Sequence, residues 1–155
     1  HDRAAAREAF ERALALSPSC AFALFLGGIF LAWTGEAERA IEWAERALWV
    51  SPVDRCAFGG HQAVAVGNFM LGQYEEAATA ARRAVLSNPN FSVTQSLLAA
   101  ALAKLGRTAE AKAAARQVLV LQPSFSSSGY CNAIGITPAL AATLMEAWHQ
   151  AGLPP

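Results

Sequence analysis

Residues 72–89 read GQYEEAATAARRAVLSNP, and this stretch decides the fold. It opens with a glycine, continues as a charged, alanine-rich run with helical spacing, and closes on a proline. The same glycine and proline recur along the chain at intervals of 34 or 37 residues, at Gly35, Gly72 and Gly106, and at Pro18, Pro52, Pro89 and Pro123. Self-similarity at this period predicts a stack of helical hairpins.

Small residues recur at the positions where the two helices of each hairpin would touch. They are Gly28 and Ala40, Ala65 and Ala77, and Ala99 and Ala111. The pattern resembles the tetratricopeptide repeat, a helix–turn–helix unit, over roughly residues 3–123. That resemblance implies an all-α fold, a right-handed superhelical α-solenoid of about three hairpins, with an unpaired helix before them and a capping helix after them.

The 155 residues are predicted to form a single domain. Its parts are the second helix of a truncated repeat at 2–17, repeats at 19–52, 53–89 and 90–123, and a partial repeat with a capping helix at 124–152. The middle repeat has three extra residues, so its first helix is expected to be one turn longer and to be capped by Asp54. The capping helix is expected to begin at Thr137-Pro138. Because the helix at 2–17 lacks its partner, we expect the chain to be a fragment of a longer protein.

Composition excludes several classes of function. Twelve Lys and Arg balance twelve Asp and Glu, so the chain lacks the positive field that nucleic acids and anionic membranes require. The longest uncharged apolar run, residues 20–33, is shorter than the roughly 20 residues of a membrane-spanning helix. No metal-ligand spacing, catalytic triad or phosphate-binding loop is present, so no catalytic residue, metal or cofactor is predicted. A cytoplasmic location is expected.

The three first helices are nearly uncharged, whereas the second helices are rich in Glu and Arg. In tetratricopeptide arrays the first helices line a concave groove. The resemblance therefore implies a partner-binding groove formed by Phe22, Phe25, Ile29, Trp33, Gln62, Val66, Phe69, Met70 and Lys104, with Val93, Ser96 and Ala100 at the remaining positions. A wall this apolar is expected to be covered, because burying each large apolar side chain stabilises by about 1.5–3 kcal/mol. A partner helix or peptide, a second copy, or the chain's own terminal segment would serve.

The residues that could take part in catalysis or binding have simpler structural interpretations. Cys20, Cys56 and Cys131 are expected to pack as small apolar residues. His61 has no charged orienting neighbour and is expected to line the groove or to pack between helices. Trp43 and Trp49 are expected to pack between repeats. Binding of acidic C-terminal tails is disfavoured, because Lys104 is the single cation on a groove position.

The sequence therefore predicts a non-catalytic scaffold that binds a partner protein or peptide. The last repeats and the ending AGLPP also resemble the C-terminal repeat tracts that follow a class III adenylate or guanylate cyclase domain, or a winged-helix regulator domain, in bacterial proteins. That narrower resemblance implies a regulatory module. The alternative is a self-association module, in which the groove accepts a second copy.

Overall fold

The computed structural model describes residues 2–155, and the predicted all-α solenoid is confirmed. The described residues form nine helices and no strand: α1 (Arg3–Leu16), α2 (Ala21–Thr34), α3 (Ala37–Val50), α4 (Ala57–Met70), α5 (Tyr74–Ser87), α6 (Ser92–Lys104), α7 (Thr108–Leu121), α8 (Ser127–Ile134) and α9 (Pro138–Ala151). Helices α2 and α3, α4 and α5, and α6 and α7 pack as antiparallel hairpins, and successive hairpins stack.

Glycines at the hairpin turns and on the contacting faces explain why these helices pair so closely. Gly35 ends α2 in the left-handed region with φ of 97°, which residues with a side chain rarely adopt. Within the first hairpin, a Cβ on Gly28 would lie 3.4 Å from the Ala40 carbonyl oxygen. The small residues singled out by their spacing therefore let the two backbones approach.

The three extra residues of the middle repeat lengthen its two loops, at 51–56 and 71–73, and not a helix. Helix α4 has 14 residues, as α2 does. The Asp54 carboxylate accepts the Cys56 backbone N–H at 2.7 Å, so it stabilises a turn ahead of the helix. The expectation of a first helix one turn longer is therefore wrong, because a polar side chain that bonds its own backbone two residues on favours a turn.

Helix α1 packs against α2. None of its residues is buried. It is held by an aromatic contact between Phe10 and Phe30, whose ring centroids lie 5.7 Å apart, and by ion pairs of Arg7 with Glu36 and of Glu11 with Arg39. The hydrogen bond from Arg7 lowers the pKa of Glu36. This half-covered helix leaves one end of the solenoid weakly packed.

Helix α9 begins and ends as the sequence predicts. Thr137 is its N-cap residue, Pro138 occupies the first turn, and Gly152 ends it in the left-handed region. It packs against α6 and α7 and so covers the last hairpin.

Trp43 contacts the core, but Trp49 is 84% exposed. The expectation that Trp49 packs between repeats is therefore wrong; it points away from the stack, opposite the buried alanines of α3.

Candidate functional site: the concave face and its clefts

Most side chains of the predicted groove are buried by the chain itself. Phe22 alone among the large apolar residues of the set is strongly exposed, at 63%. Ile29, Met70 and Lys104 are partly exposed. The residues that are buried are Phe25, Trp33, Gln62, Val66, Phe69, Val93, Ser96 and Ala100. The concave face that was expected to be open is therefore largely closed in this structure.

Two different causes account for this burial. Phe25 does not face the groove at all: its ring lies against Gly60 of α4, where an added Cβ would approach to 2.7 Å. Its assignment to the groove is corrected for that reason. Trp33, in contrast, does face the concave side and contacts Tyr130 of α8, with ring centroids 6.1 Å apart. Val66 and Phe69 belong to the same core cluster as Leu140, Leu144 and Trp148 of α9.

The C-terminal segment, residues 124–155, thus reaches back across the stack. Arg3 at the start of α1 donates a hydrogen bond to the Gly135 carbonyl. The Thr137 methyl group lies at Gly35, where an added Cβ would be 3.3 Å away. These contacts join the turn between α8 and α9 to α1 and α2, three hairpins before it along the chain. A helix that only capped the last hairpin would not make them.

Trp148 anchors the C-terminal half of α9. Its side chain is fully buried, and its indole N–H donates to the Ser96 carbonyl of α6 at 2.8 Å. Its ring packs edge-on against Phe125 and Tyr130, with centroids 5.6 Å away in both cases. Nothing in the sequence indicates that α6 is the partner of Trp148.

Lys104 does not provide a free positive charge. Its ammonium group lies 2.6 Å from the Glu146 carboxylate of α9, and its side chain is 17% exposed. The one cation that the sequence places on the groove is therefore paired with a carboxylate of the C-terminal segment.

Two clefts remain on either side of the turn between α8 and α9. The central cleft has a volume of about 610 Å³ and is lined by Thr34, Gly35, Phe69, Met70, Leu71, Gly72, Tyr74, Thr137, Ala139, Leu140 and Thr143. The N-terminal cleft has a volume of about 270 Å³ and is lined by Asp2, Arg3, Ala6, Phe30, Trp33, Thr34, Ile134 and Gly135. No ionisable carboxylate or amine lines the central cleft. Of the predicted groove residues, Phe69 and Met70 line it, and Trp33 lines the smaller one.

The pKa values of Cys131, Tyr130 and His61 are shifted toward the neutral forms of these groups. Burial raises the pKa of the Cys131 thiol and the Tyr130 phenol. Burial and the Arg83 charge lower the pKa of His61, which lies in a separate cleft between α3, α4 and α5. Within residues 2–155, no group of three His, Cys, Asp or Glu side chains is placed to hold a metal. The clefts therefore offer contacts for binding and no activated nucleophile.

Sequence reasoning missed three contributors to the site: Tyr130, Thr137 and Leu140. All three belong to the C-terminal segment, which the sequence identifies as a cap. No signal in the sequence marks the direction in which that cap runs. Leu26, one turn after Phe22, is a further partly exposed apolar residue of α2.

Solved structures show the same arrangement of helices. The crystal structure of MamA has a TM-score of 0.69 and 19% identity, and the match covers 97% of this chain and 86% of that one. The first tetratricopeptide domain of Spaghetti (RPAP3), bound to the HSP90 peptide SRMEEVD, has a TM-score of 0.62 and 21% identity, over 84% of this chain and 91% of that one. YrrB, described as a tetratricopeptide protein with an unusual peptide-binding site, has a TM-score of 0.60 and 20% identity, over 92% of this chain and 74% of that one.

The chain has the tetratricopeptide repeat fold. No protein-family profile matches its sequence, and neither does any curated protein. The assignment of the fold therefore rests on the similarity to solved structures and on the regular recurrence of glycine and proline along the chain. Among the described tetratricopeptide helices, none has the length and apolar character needed to cross a membrane.

Proposed function

We propose that this chain is a non-catalytic protein-interaction module that binds an uncharged, apolar segment of a partner protein in the central cleft. The observation that carries the proposal is the lining of that cleft: apolar side chains and threonine hydroxyls, without a charge, where the C-terminal ends of α2 and α4 meet the start of α9. Its volume of about 610 Å³ lies within the range of about 300–1,000 Å³ typical of ligand clefts.

Charge determines which kind of segment fits. Placing a carboxylate in an uncharged apolar cleft costs desolvation energy that no cation there offsets, and Lys104 is already paired with Glu146. The peptide SRMEEVD, which the related Spaghetti domain binds, carries several carboxylates. We therefore expect this cleft to reject such tails and to select apolar side chains, whose burial is favourable.

Selection of peptides tests the proposal directly. Immobilised protein is used to select binders from a random peptide library, and the affinity of the enriched peptides is measured by fluorescence anisotropy. Leu71 lines the cleft at 41% exposure, whereas Leu86 is 82% exposed and lines neither of the two clefts. We expect Leu71→Glu to weaken binding at least tenfold and the matched control Leu86→Glu to leave it unchanged. Enrichment of acidic peptides, or equal affinity for both variants, would refute the cleft as the site.

The surrounding protein is the second part of the proposal. We propose that the module serves a larger bacterial regulatory protein, in the position that the resemblance of its last repeats suggests, after a nucleotide cyclase or winged-helix domain. The support is the sequence resemblance of the last repeats. Determining the encoding sequence around this chain tests the context; an unrelated neighbouring domain would remove it.

Self-association is a second candidate, favoured by a row of exposed apolar residues. Trp49, Leu86 and Val120 lie in the last turn of α3, α5 and α7 and are 84%, 82% and 70% exposed. Exposed apolar residues at equivalent positions of successive hairpins are candidates for a protein contact. Light scattering over a range of concentrations distinguishes the candidates: a mass that rises with concentration, and falls in Trp49→Glu, supports a dimer, whereas a constant monomer mass removes it.

A further inference from the structure

The turn between α8 and α9 separates two clefts that would otherwise be continuous. We call residues 134–137 the clasp. Ile134 and Gly135 line the N-terminal cleft and Thr137 lines the central cleft, while Thr34 of α2 lines both. The clasp is thus the wall between them, and moving it would open one groove along the concave face.

One buried side chain and a few exposed contacts hold the clasp. Ile136 is 7% exposed and belongs to the main core cluster, so opening must withdraw it from the core. Arg3 donates one hydrogen bond to Gly135, and Arg3 itself is exposed on a helix with no buried residue. The Thr137 methyl group contacts Gly35, a residue without a side chain. Helix α8 has eight residues, of which only Ser127 and Cys131 are buried. Segments with few buried contacts are those that open locally.

The C-terminal half of α9 is held quite differently. Leu144, Ala147, Trp148 and Ala151 are all buried to 1% or less, and Trp148 is hydrogen-bonded to α6. The clasp can therefore move while the rest of α9 stays in place. A hinge is available ahead of Leu140, where Pro138 and Ala139 are both exposed.

Tyr130 shows that the closed position is imperfectly satisfied. Its hydroxyl is the one buried side-chain polar atom of residues 2–155 with no hydrogen-bond partner. It lies among the rings of Trp33, Phe125 and Trp148. A buried polar atom without a partner destabilises the state that buries it, so release of α8 into water would relieve that penalty.

We propose that the clasp opens and closes, and that it gates the central cleft: in the closed state the chain's own C-terminal segment excludes part of the partner's binding surface. Opening would expose the Trp33 ring and join the two clefts. The occupant is the same uncharged, apolar partner segment, so the gating rests on the proposed function, whereas the motion of the clasp does not.

Hydrogen exchange on the full chain measures the motion. Arg3→Ala removes the tie to Gly135, and Arg12→Ala on the same helix is the matched control. We expect Arg3→Ala to raise exchange at residues 130–137 about tenfold, with residues 144–151 still protected, and Arg12→Ala to change nothing. Tyr130→Phe keeps the ring and removes the unpartnered hydroxyl, so it should slow exchange at the same residues by about tenfold.

Binding of Nile red, an uncharged apolar dye, measures the gate. We expect Arg3→Ala to bind the dye several-fold more tightly than the parent chain and Tyr130→Phe to bind it more weakly. Unchanged exchange in both variants would overturn the clasp. Faster exchange without tighter dye binding would overturn the gating, and loss of protection at residues 144–151 as well would show that the whole segment unfolds. If the clasp moves as expected while the peptide selection fails, the proposed function falls and the motion stands.

Discussion

Replacing Trp148 with alanine tests whether the C-terminal segment is part of the core. Trp148 is fully buried and contacts Phe125 and Tyr130 edge-on, so its removal leaves a large cavity. A buried Trp→Ala change costs about 3–5 kcal/mol. The lost indole hydrogen bond to Ser96 adds about 1 kcal/mol. The expected loss of about 4–6 kcal/mol is comparable to much of the total stability of a domain.

Urea unfolding followed by far-ultraviolet circular dichroism measures this loss. Trp49→Ala is the matched control, because it is the same substitution at a position that is 84% exposed. A loss in free energy of unfolding of about 0.5 kcal/mol or less is expected there. If Trp148→Ala and Trp49→Ala lowered the free energy of unfolding equally, the C-terminal helix would not belong to the core. The central cleft would then lack a rigid wall on the side of α9, and it could not serve as a binding site.

Three further predictions concern packing, pH and ligand charge. In urea unfolding, Gly67→Ala should be less stable than Gly28→Ala by about 1–3 kcal/mol. A Cβ added at position 67 would lie 2.6 Å from Ile41 Cγ1, whereas a Cβ added at position 28 would have no contact under 3.4 Å. Equal stabilities of the two variants would contradict this packing. Burial and Arg83 lower the pKa of His61 in the folded state. As pH falls below about 6.5, the unfolded state therefore takes up a proton before the folded state does, and the free energy of unfolding should decrease. Urea midpoints measured against pH should show this decrease in the parent chain and a flatter profile in His61→Gln. The peptide SRMEEVD should show no binding in isothermal titration calorimetry, and measurable affinity would disprove the neutral character of the cleft.

The hairpins could be predicted from the sequence because their determinants are local. Gly35 and Gly28 act within a single hairpin, the first on the turn and the second on the contact between α2 and α3. The start of α9 at Thr137-Pro138 is equally local. The failure at Asp54 is also instructive: a carboxylate ahead of a helix can cap it or form a turn, and the short-range pattern is the same for both.

The candidate site could be predicted only in part. Phe69 and Met70 do line the central cleft, but Phe25 packs inside the stack. The sequence could not predict this, because a helix that is apolar all round does not reveal which side faces a neighbour. Trp49 shows the same ambiguity in the other direction. The sequence predicted that the site has little positive charge, because Lys104 is the single cation on a predicted groove position. In the structure Glu146 neutralises Lys104.

By itself the sequence determined the repeat, the helices and the near-absence of charge on the concave face, since each arises from spacing within some 34 residues. Only the tertiary structure decided that the chain covers its own groove. The contacts responsible, such as Arg3 with Gly135 at a separation of 132 residues, join distant elements. No periodic pattern encodes such a pairing, because it depends on the curvature accumulated over all the hairpins between them.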